Sequence, residues 1–90
     1  MKIELFYTPG CQKCADARDG LKATARELIP GVIWRELNAL DELDYAVTLG
    51  VVALPAVAFD GKLVFSSLPT CRQLRRELMK WSARTGQHAH

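Results

Sequence analysis

Three observations on this 90-residue sequence predict an α/β fold in which a central four-stranded mixed sheet is flanked by three helices. A short strand-like run near the start gives way, after Thr8-Pro9-Gly10, to apolar residues at helical spacing. Asp60-Gly61 separates two apolar runs, which is the strongest short signal for a β-hairpin. Thr70 with Gln73 makes a capping-box pattern ahead of a last amphipathic segment. Taken with the strands between them, these give the order β-α-β-α-β-β-α.

Ile3 to Tyr7 reads as the first strand, and the Thr-Pro-Gly break ends it. The first helix opens at Cys11. Cys14, Ala17, Leu21, Ala25 and Leu28 recur on one face, while Lys13, Asp16, Arg18, Asp19, Lys22 and Arg26 point outward. Pro30-Gly31 stops it. Val32 to Leu37, rich in β-branched and aromatic residues, is the second strand. Asn38 or Asp41 is expected to cap a short second helix, which ends at Gly50, a residue suited to the left-handed position after a helix. Val51 to Leu54 lead into Pro55. Ala56 to Phe59 and Leu63 to Phe65 are the hairpin strands, and Ser66 to Pro69 a loop. The last helix, capped by Thr70, runs to about Ala83 with Leu74, Leu78 and Trp81 inward. Helical crossovers make the first two strands parallel, and the hairpin is antiparallel. Residues 1–84 form one domain, and 85–90 are expected to be a disordered tail.

A chain of this length supports one compact core and not two. The net charge of +2 is too slight to imply a nucleic-acid or membrane partner. No apolar run approaches the roughly 18 residues of a membrane span, and no basic segment leads into an apolar stretch as a secretory signal would. A cytoplasmic protein is expected. Cysteines stand at 11, 14 and 71, an odd number that argues against a secreted disulfide framework. A Cys-x-x-Cys pair in a reducing compartment points instead to redox exchange or to metal binding.

Cys11-Gln12-Lys13-Cys14 places a dithiol at a strand-to-helix junction. Cys11, at or near the N-cap, faces free backbone N–H groups and the positive end of the helix dipole. Both favour the thiolate, which is the nucleophile, and Lys13 adds a modest nearby charge. Cys14 begins the apolar stripe and is expected to be shielded and protonated. The asymmetry makes Cys11 the attacking group and Cys14 the resolving one. A zinc site would need two more ligands, and only Cys71, His88 and His90 remain as candidates. Pro55 cannot donate to a ladder and suits a strand's start.

These residues together resemble the thioredoxin superfamily, and most closely its small glutaredoxin-like thioredoxins, or redox-active disulfide proteins. The pattern is carried by Gly10-Cys11-Gln12-Lys13-Cys14, by Gly50-Val51-Val52-Ala53-Leu54-Pro55-Ala56, by Asp60-Gly61 and by Leu68-Pro69-Thr70, and extends over roughly residues 2 to 82. The resemblance implies a thioredoxin-like fold and a thiol–disulfide oxidoreductase with no cofactor beyond the Cys11–Cys14 disulfide. It implies a cis peptide bond before Pro55, with the Leu54 backbone free to pair with substrate, and an active-site rim shaped by Tyr7, Thr8 and Gly10. Protein disulfides would be the substrates of a monomer. The departures are equally specific. Trp-Cys-Gly-Pro-Cys is absent, and Leu5 stands where thioredoxins carry a buried acid. Ser66-Ser67 and Cys71 replace the glutathione clamp of glutaredoxins. The electron donor, a reductase or a low-molecular-weight thiol, does not follow from the resemblance.

Cys71, three before Leu74 and seven before Leu78, is expected to be buried on the apolar face. As a thiol at a helix start it is also a candidate accessory or regulatory group, or a metal ligand. Arg72, Arg75, Arg76, Lys80 and Arg84 form a basic face, read as solvated, with an acidic partner as the alternative. Trp34 and Trp81 read as core aromatics. Two other functions stay open: a soft-metal binding or transfer protein using the same thiolates, and a redox-sensing interaction module. Copper and mercury chaperone domains share the Cys-x-x-Cys but end in a strand, where this chain ends in a helical pattern.

Overall fold

Ile3, Glu4, Leu5 and Phe6 are all buried, and the strand they form lies inside the sheet, covered on both sides. The computed structural model describes residues 1–85, with side chains through 82. Its elements are β1 (Lys2–Tyr7), α1 (Gln12–Leu28), β2 (Ile33–Asn38), α2 (Leu43–Leu49), β3 (Ala56–Phe59), β4 (Lys62–Phe65) and α3 (Cys71–Thr85). The sheet runs β2-β1-β3-β4. β1 and β2 are parallel, from Lys2 opposite Ile33 to Tyr7 opposite Asn38. β3 is antiparallel to both β1 and β4. The element order and mixed sheet are those expected from the sequence.

Alternation along the strands divides the interior in two. Ile3, Leu5, Val57 and Phe59 meet Leu21 and Ala25 of α1 and Leu74 and Leu78 of α3. On the opposite face Phe6, Leu37, Ala56 and Ala58 meet Ala46 of α2. Trp34 and Trp81 are half-buried against the larger cluster rather than enclosed by it. Trp81 meets Phe59 edge-on at 5.4 Å.

The hairpin turn takes Asp60 and Gly61 through positive φ (50° and 80°), the combination that matches the strands' twist and favours Asp-Gly. The capping box of α3 is reciprocal: the Gln73 N–H donates to Thr70 Oγ1 at 3.1 Å, and the Thr70 N–H donates to Gln73 Oε1 at 2.8 Å. The cap of α2 differs from expectation. Glu42 occupies it without a side-chain hydrogen bond. The Asn38 side chain accepts instead from the Leu40 N–H at 2.9 Å, building the turn that precedes the helix. Thr85, assigned by the sequence to the tail, is the last residue of α3. Residues 86–90, with His88 and His90, lie outside the described residues.

Beneath α2 sits a charge the hydrophobic pattern does not reveal. Glu4 is completely buried. Its carboxylate accepts from the Tyr45 hydroxyl at 2.6 Å and from Arg35 at 3.1 Å, with Lys2 Nζ 3.9 Å away. Arg35 is its register partner on β2. The Tyr45 phenol is held above its ordinary pKa, first by its bond to Glu4, then by burial and the Glu4 charge, with Arg35 opposing.

Candidate active site

The turn after β1 is built to deliver a cysteine to a helix head. Gly10 has φ +84°, a conformation that a Cβ disfavours. The Cys11 N–H closes the turn on the Thr8 carbonyl at 3.2 Å. Cys11 itself is extended and is the N-cap of α1. Its sulfur takes the place of the usual capping oxygen, accepting from the Cys14 N–H at 3.2 Å. The first turn of α1 contains no acidic residue to oppose a negative sulfur. Cys11 and Cys14 are joined in a disulfide with Cα atoms 5.3 Å apart.

The two sulfurs differ in access. Cys14 is 4% exposed, below Cys11, which is partly open to solvent. A cavity of about 210 Å³ adjoins them, lined by the Tyr7–Gln12 turn together with Leu5, Cys14, Ala15, Arg18 and Glu36. Tyr7, Thr8 and Gly10 thus border the disulfide. Lys13 is exposed and outside the lining. Leu54 and Pro55 are also outside it, joined by a cis peptide bond. The pairing of Phe6 with Ala56 sets Pro55 at the same end of the sheet as Tyr7.

Arg18 and Glu36 are site residues that sequence reasoning missed, Arg18 having been read simply as outward-facing. They meet at 3.5 Å on the cavity wall. Glu36 pairs in register with Leu5, and it shares a strand face with Trp34, whose Nε1–H donates to Glu36 Oε2 at 2.9 Å. The signal was present in the period-two pattern Trp34-x-Glu36, once Trp34 is placed inward.

Cys71 corrects an expectation: it is exposed rather than buried. As the first residue of α3 it lies a turn ahead of the apolar stripe that Leu74 begins. Its sulfur is 3.4 Å from where a Cβ on Gly20 would stand, so it rests on α1 and does not join the cavity lining. On the basic face Arg75 pairs with Glu27 of α1 at 3.0 Å and Lys80 with Glu77 at 3.7 Å. Among the described residues, no three or more His, Cys, Asp or Glu side chains gather as a metal would require, and no helix is long and apolar enough to cross a membrane.

Comparison with known proteins agrees with this geometry. The sequence model of the Thioredoxin domain family matches residues 1–86. A thioredoxin of Methanocaldococcus jannaschii is 29% identical over 80 residues, which are 89% of this chain and 94% of that one. A probable thioredoxin of Methanothermobacter marburgensis is 26% identical over 74 residues, 82% of this chain and 87% of the other. The structure of thioredoxin 1 from Thermosipho africanus superposes with a TM-score of 0.76 at 14% identity, covering 97% of this chain and 100% of that one. With its dithiol at the head of α1 and the family match spanning nearly the whole sequence, the chain belongs to the thioredoxin domain family and is, in general terms, a thiol–disulfide oxidoreductase.

Proposed function

We propose that the chain reduces disulfides in protein substrates, with Cys11 as the attacking thiolate and Cys14 as the resolving thiol. The observation that carries the assignment is the difference in access and capping: Cys11 is partly open and sits at the helix N-terminus, whereas Cys14 is 4% exposed. In the reduced protein the Cys11 thiolate has the Cys14 N–H to accept from and the helix dipole behind it. It attacks one sulfur of a substrate disulfide, and the other leaves as a thiolate that takes up a proton. Cys14 then loses its proton and attacks Cys11 Sγ, releasing the second substrate thiol. Two electrons pass to the substrate, and the Cys11–Cys14 disulfide is regenerated.

Tyr7, Thr8 and Gly10 form the rim of this site, and Lys13 adds a screened positive charge. An extended substrate segment pairs with the backbone of Leu54 beside Pro55. The protein works as a monomer in a reducing compartment such as the cytoplasm, needs no cofactor, and is recharged by a reductase or a low-molecular-weight thiol.

The test is reduction of insulin disulfides with mass spectrometry of trapped species. Cys11→Ser should abolish turnover, and Cys14→Ser should accumulate a mixed disulfide through Cys11. Trapping through Cys14 would reverse the roles. Turnover that survives Cys11→Ser would remove Cys11 as the attacking group, and partner binding without turnover would remove the enzymatic reading.

A further inference from the structure

We infer that Glu36 accepts the proton of Cys14 when that thiol resolves the mixed disulfide, through water in the cavity beside the Cys11 turn. The inference rests on the roles proposed above for the two cysteines. A thiol must ionise before it can attack, and Cys14 is 4% exposed, so its proton cannot simply pass to bulk solvent. The cavity that Cys14 lines holds about 210 Å³, room for several water molecules at ~30 Å³ each. Glu36 is the one carboxylate among the residues lining it.

The fold holds that carboxylate in place. Glu36 stands opposite Leu5 across the β1–β2 ladder, on the face covered by α1. Trp34 fixes Oε2 at 2.9 Å, and Arg18 approaches Oε1 at 3.5 Å from a side chain that is 52% exposed. One oxygen is thus anchored by a half-buried ring, and the other meets a half-exposed cation at a longer 3.5 Å. That second oxygen is free to exchange Arg18 for a proton-carrying water. The titratable and charged groups around this space are Tyr7 of β1, Cys11 and Arg18 at and along α1, and Glu36 of β2. Leu5 offers no acceptor in the wall between them.

The Cys14 S–H passes its proton through water to the Glu36 carboxylate. The Cys14 thiolate forms the S–S bond to Cys11, and the bond from Cys11 to the substrate sulfur breaks. Its electron pair leaves on the substrate thiolate, which collects the proton that Glu36 gives up. Glu36 is therefore unchanged over the cycle.

In a Cys71→Ser background, which removes the exposed third thiol, stoichiometric 5,5′-dithiobis(2-nitrobenzoate) separates the steps, because the reduced protein releases one coloured thiolate when Cys11 attacks and a second when Cys14 resolves. In stopped flow at pH 7, Glu36→Gln should leave the first release within about twofold and slow the second by roughly ten- to a hundredfold. The deficit should close toward about pH 9, where thiols ionise unaided. Glu36→Asp should recover most of the second rate. Glu36→Ala, which also loses the Trp34 bond, should match the Gln variant. A second release unaffected by Glu36→Gln across this pH range would overturn the inference, as would equal slowing of both releases with an unshifted pH profile. Cys14→Ser is the control for the underlying reading: if it kept the second release, the resolving role of Cys14 would fail, whatever Glu36 does.

Discussion

Replacing Tyr45 with phenylalanine removes one oxygen from the far side of the sheet and tests what holds α2 there. The hydroxyl donates to Glu4 Oε1 at 2.6 Å, and Glu4 is wholly buried, so the lost bond is charge-assisted and its acceptor cannot turn to water. Hydrogen bonds to charged groups contribute ~1.5–3 kcal/mol. Arg35 remains on Oε2, and the ring keeps its 5.8 Å contact with Phe6, so no packing term is added. For a domain of this size the loss corresponds to a fall in Tm of roughly 6–24 °C. In urea, with a slope of about 1 kcal/mol per molar, the midpoint should fall by ~1.5–3 M while the slope stays constant. The pH dependence has a definite sign. The folded phenol titrates above its ordinary value of 10.0 because of Glu4, so its contribution is complete below that value and is lost as pH rises through the raised one. The gap between wild type and variant should be flat from neutrality to about pH 10 and narrow above it. A loss below ~0.5 kcal/mol, the range of an ordinary surface substitution, would refute the reasoning. So would a gap that widens in alkali. Disulfide reduction should be unaffected, because Glu4 and Tyr45 lie across the sheet from the Cys11 turn.

Two further substitutions probe the helices. Gly20 is helical, and an added methyl would meet Cys71 Sγ at an ordinary 3.4 Å, so Gly20→Ala should raise stability by about 0.5–1 kcal/mol in thermal melts. A decrease would mean that α1 and α3 have no room for it. Thr70→Ala breaks the reciprocal cap of α3 and should cost ~1 kcal/mol, read as a shift of the denaturation midpoint. No change would show that the Gln73 side chain alone suffices.

The layout was legible wherever one local rule acted alone. The Asp60-Gly61 turn, the Thr70–Gln73 box and the Cys14–Leu21–Ala25 stripe each have a single structural solution, and each is found in the fold. The dithiol was legible for the same reason: Cys11 follows a strand and a glycine turn, and the N-cap position comes with that junction. What escaped was decided across strands. Glu4 looks solvent-facing in an alternating strand unless both faces of the sheet are known to be covered, and its partners Arg35 and Tyr45 lie 31 and 41 residues away. Glu36 gains its place beside the disulfide only through its register with Leu5. Cys71 shows the opposite failure. Helical spacing extended the apolar stripe of α3 one turn too far, to a residue where the helix has not yet reached the sheet. At α2, Asn38 had two local partners to choose from, and the turn took its side chain before the helix could.

The strand order has a consequence for how the molecule is made. β1 precedes the other described elements in the chain, yet its neighbours in the finished sheet are β2 and β3, whose residues begin at 33 and 56. Until those segments have left the ribosome, an apolar strand with two open edges waits in the nascent chain. Leu74 and Leu78, which close the larger core over it, come later still. Completion of the sheet therefore waits on pairing between segments distant in sequence. During that interval, β1 can pair with a foreign strand.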